Sequence, residues 1–111
     1  MAKQTIGVRE QSVMVIKAKT DKAGLNTLAF QSAQIATYAI ANNLEIIYCI
    51  IATNGIKEIL REIKKLDERV IFHSIILYSP VQIAKDADEY NDFVETLDKE
   101  FDIAVRYCRS R

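Results

Sequence analysis

The sequence predicts an α/β fold of three layers: a doubly wound, parallel sheet of four strands in the order 2-1-3-4, with helices on both faces. Three observations lead there. Strand-like and helix-like segments alternate strictly from residue 12 to residue 108, a pattern that implies parallel strands joined by crossover helices. Of the strand-like runs, EIIYCII is a continuous apolar run, as in strands covered on both sides, and VIFHSIILY is the longest and most apolar. Crossovers are right-handed, so placing the longest apolar run centrally makes 2-1-3-4 the simplest arrangement. At 111 residues, 50% apolar and 27% charged, the chain reads as one domain able to build a core without staples.

Residues 1–11 lack an apolar signal core and are expected to form a loosely ordered tail, followed by the α/β domain at 12–108 and a short basic end at 109–111. Residues 12–18 (SVMVIKA) form the first strand. A helix capped by Asn26 or Thr27 is expected to run to about Asn42, with Leu28, Ser32, Ile35 and Ala39 on one face. The second strand spans 45–51. After Thr53-Asn54-Gly55, Ile56, Ile59, Leu60, Ile63 and Leu66 make a helical stripe opposite Lys57, Glu58, Arg61, Glu62 and Lys65. The third strand is read at 70–78, and Ser79-Pro80 breaks it from a last helix at about 81–100. Ile83, Ala87, Tyr90, Val94, Leu97 and Phe101 recur there at helical steps, and residues 102–108 (DIAVRYC) form the fourth strand.

In this strand order the loops after Ala18 and Tyr78 meet at the switch point, where open α/β sheets bind ligands. Lys17, Lys19 and Lys22, with Thr20 and Asp21, gather at that rim. They read either as a solvated loop or as a contact for an anion or a nucleic-acid backbone. The second charged feature is acidic: residues 81–102 hold eight acids against Lys85 and Lys99. The second and third helices move the same way along the sheet and share a face. The acids are thus either a solvated surface beside a basic neighbour or a docking face for a basic partner, centred on Asp88, Asp92 and Glu95.

His73, mid-strand, reads as a satisfied interior or half-exposed histidine, and Ser79 as a turn residue before Pro80. Cys49 and Cys108 fall on opposite edge strands; two intervening strands at about 4.8 Å spacing keep them beyond disulfide reach. They fit a reducing cytoplasm. There is no metal-ligand spacing and no glycine-rich phosphate loop, and no cofactor is expected. The net charge is zero and no apolar run is long enough to span a membrane, so no membrane partner is expected.

Three stretches together resemble a known family. VMVIKAKTDKAG stands where the family reads apolar-Tyr-x-Arg-x-Ser-Thr. FQSAQIATYAIANNLEIIYCI matches a Gln-bearing helix, an Asn/Gly turn and an apolar strand. IILYSPVQIAKD stands where the family reads apolar-Tyr-Ser-Leu-Asp-Arg-Leu-x-Arg-Asp, and FDIAVRYC replaces the fourth strand. From residue 12 to 107 the chain thus resembles the catalytic domain of the serine recombinases, the resolvase and invertase family. The family attacks a DNA phosphodiester with a serine, and arginines stabilise the transition state. The position matching the nucleophile is Lys19, the preceding arginine is matched by Lys17, the Asp-Arg pair by Val81 and Gln82, and the last arginine by Lys85. The loop after the second strand, which bears a further arginine in the family, is shortened to about 51–55. The chain also stops where the family's dimerisation helix and DNA-binding domain would begin.

The resemblance therefore implies a catalytically inactive, resolvase-like domain, at home in a phage or mobile element, that dimerises or docks on a DNA-processing protein to regulate it. One alternative is weak nucleic-acid binding through Lys17, Lys19 and Lys22. Another is a small-ligand or phosphate-binding module of flavodoxin-like type, although no acid pair follows the first strand as a receiver domain would require.

Overall fold

Four segments of the chain extend into strands in the computed structural model, which describes residues 9–109. They are β1 (Glu10–Lys17), β2 (Leu44–Ala52), β3 (Ser74–Leu77) and β4 (Ala104–Tyr107). They pair in parallel in the order β2-β1-β3-β4, as the alternation of elements requires. Between them lie α1 (Lys22–Ala41), α2 (Ile56–Asp67), the single turn α3 (Pro80–Ile83) and α4 (Ala87–Thr96), which runs on through a π-helical turn at Leu97–Phe101. The expectations for residues 1–8 and 110–111 lie outside the described residues.

The two faces of the sheet carry separate cores. Val13, Val15, Ile50, Ala52, Ile75 and Leu77 meet Ile59, Ile63 and Leu66 of α2 and Phe93 of α4. On the other face Met14, Ile16, Ala18, Leu44 and Ile76 meet Ile35 and Ala39 of α1, the one helix on that face among the described residues. α2 and α4 therefore share one face and α1 has the other to itself, as right-handed crossovers dictate.

Several boundaries differ from the sequence reading. β1 starts at Glu10, so residues 10 and 11 belong to the sheet. The cap of α1 is Asp21, whose carboxylate accepts from the Gly24 N–H at 2.8 Å, rather than Asn26 or Thr27. The buried stripe of α1 is Gly24, Gln31, Ile35 and Ala39, with Leu28 and Ser32 only half-buried. β2 is not covered on both sides: Tyr48, Cys49 and Ile51 are exposed, because β2 is an edge strand and a bulge opposite Ser12 and Val13 shifts its register.

β3 is short rather than the longest strand. Val70 and Ile71 are 39% and 68% exposed, and the Arg69 and Val70 amides still bond the Leu66 carbonyl as the end of α2 unwinds. All of β3 is nevertheless buried between β1 and β4, which is what its apolar run encodes.

The single helix read at 81–100 is two. Ala84 leaves the α conformation (φ −117°, ψ 140°), and Asp86 starts α4 by accepting from the Glu89 N–H at 2.8 Å. The Glu89 carboxylate accepts from the Lys85 N–H at 2.9 Å, completing a reciprocal cap. The break and the π turn rephase the stripe, so Phe93 and Leu97 are buried while Ala87 is exposed and Val94 only half-buried.

Candidate functional site

The switch point is built by the ends of β1 and β3. β1 delivers Lys17, half-buried, and then Ala18 and Lys19; the Ala18 N–H still bonds the Ala52 carbonyl at 2.9 Å, holding the loop against the end of β2. The chain then turns sharply into α1. A Cβ at Gly24 would lie 1.7 Å from the Lys19 carbonyl oxygen, so only glycine lets the first turn of α1 pass this close. The result is a shallow cleft lined by Lys17, Lys19, Thr27, Thr53 and Gln82.

Lys17, Lys19 and Gln82, separated by up to 65 positions, thus share one cleft. Lys22 is exposed on the first turn of α1 and is not among the cleft's lining residues. Val81 is 65% exposed, and with Lys85 it lines a different concavity, bounded by Pro80, Tyr90 and Tyr107. Ser79 is buried, and its Oγ has no hydrogen-bond partner among the described residues. It sits at the N-cap of α3 without capping it, so it packs inward rather than into the cleft.

The acids of α4 face outward. Asp88, Asp92 and Glu95 are all exposed. Glu95 is engaged with Lys99 one turn on, at 2.6 Å, and its carboxyl lies below the ordinary range through that hydrogen bond and the ammonium charge. Asp92, with Glu89, lines a groove whose other wall is Lys57 and Arg61 of α2. The basic neighbour expected from the topology is therefore in place.

A polar network near the N-terminal ends of the strands carried no signal as a motif, since its members are scattered in sequence. Arg106 of β4 donates from Nε and Nη2 to the two carboxylate oxygens of Glu10 on β1, at 2.9 and 3.1 Å. Ser74 Oγ donates to Glu10 Oε2 at 2.7 Å. Its one proton is then used, so Ser12 Oγ donates to Ser74 Oγ across the same 2.7 Å separation seen within the sheet core. Burial alone would raise the Glu10 carboxyl, but the hydrogen bonds from Arg106 and Ser74 and the guanidinium charge outweigh it and hold it below its ordinary value. The bond to Glu10 in turn raises Arg106, against a smaller opposing effect of burial. Every group here is engaged with another, which suits a structural clasp.

His73 lies beside this clasp and is half-buried, in line with the half-exposed alternative of the sequence reading, and among the described residues neither ring nitrogen has a hydrogen-bond partner. Its backbone does the joining instead, donating to Gln11 and accepting from Ala104. Cys49 and Cys108 are free thiols near opposite edges of the sheet, each raised above the usual thiol range by burial. Among the described residues no cluster of His, Cys, Asp and Glu could hold a metal ion, and no helix is long and apolar enough to cross a membrane.

Comparison of the chain with protein-family models, curated proteins and solved structures returned no match.

Proposed function

We propose that this domain works by binding other macromolecules and is a non-catalytic, resolvase-like interaction or regulatory module. The observation that carries the reading is the division of its surface between two chemistries. The α2/α4 side exposes Asp88 and sets Glu89 and Asp92 across a groove from Lys57 and Arg61. The opposite side presents apolar side chains of α1 and β2: Leu25 at 63%, Ile40 at 81% and Ile51 at 51% exposure. Exposed apolar patches and polarised charge are features of docking surfaces. The switch-point cleft supports the same reading, since Lys17, Lys19 and Gln82 line it where the family resemblance expects arginine, serine and arginine.

Affinity capture from the native host tests the acidic side. The wild-type chain should retain a partner that the Asp88→Lys, Asp92→Lys, Glu95→Lys triple variant loses. Retention by both would remove that face as the docking surface.

A second reading is favoured by the cleft itself. Lys17 and Lys19 converge with the hydroxyls of Thr27 and Thr53 and the amide of Gln82, groups that hold backbone phosphates. Binding of duplex DNA that weakens with salt, and weakens again in a Lys17→Gln, Lys19→Gln, Lys22→Gln variant, would establish it. No binding at low salt would remove it.

A further inference from the structure

A four-stranded sheet is wider than one helix: strands about 4.8 Å apart span more than the roughly 10 Å diameter of a helix. On the α1 face, therefore, both flanks of the sheet lie beyond the helix. The two flanks are finished differently.

Phe30 of α1 packs edge-on against Tyr78 at 5.7 Å, and Tyr38 lies close enough to Arg106 to favour its charged form, so positions 30 and 38 mark the side of α1 that looks toward β3 and β4. That flank is closed by polar groups, the Glu10–Arg106 ion pair and the bond from Arg109 Nη1 to the Tyr78 hydroxyl. By helical geometry the opposite side of α1 holds Lys22 in its first turn and then Leu25, Ala29, Ala36 and Ile40, and looks toward β2. Ile51 pairs with Ile16 and Cys49 with Met14, both in the core beneath α1, so Cys49 and Ile51 emerge on this same flank. Among the described residues no polar clasp finishes it.

The sequence makes the contrast sharper. Residues 23–56 contain a single charged residue, Glu45, in a chain with 15 acids and 15 bases. A solvated helix and edge strand ordinarily carry charge, and the core of an interface is depleted of it. β2 also lacks the usual protection of an edge: it has no lysine and no proline, and its bulge lies before the YCIIA segment rather than within it.

Resting on the reading of this domain as an interaction module, we infer that the β2 edge and the adjoining side of α1 form a two-fold interface with a second copy of this chain. The copies pair antiparallel through β2 to give one continuous sheet. The charge pattern argues for a second copy over a different partner. A two-fold contact brings each patch against its own duplicate, which a patch whose only α1 charge is Lys22, at its outer end, tolerates and a densely charged one does not. Area agrees in direction: Leu25, Ile40 and Ile51 are each about half exposed or more on this flank. Tyr48, paired with Val13, emerges on the other face of the same edge strand, so pairing through β2 would cover all four toward the roughly 800 Å² per partner that a stable dimer needs.

Sedimentation of the full chain over a concentration series tests this. The wild-type chain should show a monomer–dimer equilibrium. Ile40→Glu and Ile51→Lys, both at exposed positions, should each weaken it by about tenfold or more while leaving circular dichroism and the thermal midpoint of the monomer unchanged. Val81→Lys, exposed on the far side of the switch point, should not alter it. Mixing Ile51→Lys with Ile51→Glu should restore dimers. A chain that stays monomeric up to about 1 mM, or a dimer insensitive to both interface variants, would overturn the inference. Neither result would touch capture of a partner through the acidic face, so the broader reading is tested separately.

Discussion

Glu10 ties three strands together, and its environment sets a pH dependence. Its folded carboxyl titrates below the ordinary value, so it binds fewer protons than the unfolded chain around that pH. The stability it confers is complete above the unfolded carboxylate pKa of about 4.3 and is lost as pH falls through the lower, folded value. With the Glu10 and Arg106 side chains 28% and 35% exposed, solvent screening limits the pair to about 1 kcal/mol. Glu10→Gln should therefore lower the urea midpoint at pH 7 and flatten the loss of stability between pH 5 and 3; an unchanged acid limb would show that the clasp is not formed. Gly24 is the other residue with an outsized role. Gly24→Ala should cost about 1–3 kcal/mol by forcing α1 off the Lys19 carbonyl, whereas Gly55→Ala, with nothing within 4 Å of the added carbon, should change the midpoint little.

At the level of elements, α4 depends on its reciprocal cap. Asp86→Ala removes the acceptor for the Glu89 amide and should cost about 1 kcal/mol, read as a lower thermal midpoint and earlier amide exchange across residues 87–90. The cap was legible beforehand: Asp86-Ala87-Asp88-Glu89 has the spacing of a capping box, but the apolar recurrence from Ile83 to Phe101 argues for one helix. Periodicity records which residues are apolar and does not register the break at Ala84 or the π turn that rephases the stripe. For the same reason α2 was read almost to the residue, since its stripe and caps agree, while α1 was not, because its apolar residues surround it on most sides. The length of β3 was overestimated because Val70 and Ile71 are apolar but exposed; strand extent is fixed by neighbours, which a local pattern does not record.

For the whole molecule, alternation of elements and the handedness of crossovers led to parallel strands and the segregation of the helices. The order 2-1-3-4 needed one more premise, the central placement of the apolar third strand, which holds because β3 is fully buried although it is not the longest strand. The same reasoning placed the loops of Lys19 and Gln82 together. It did not disclose the Glu10–Arg106 clasp or the unfinished flank of β2, because both arise from how far one helix reaches across a sheet. The account holds that this scaffold binds and does not cut. Incubating the purified chain with supercoiled plasmid is the most direct check, with Lys19→Ala run in parallel. The account predicts that neither protein yields nicked, linear or rejoined product. DNA cleavage by the wild-type chain that Lys19→Ala abolishes would contradict it.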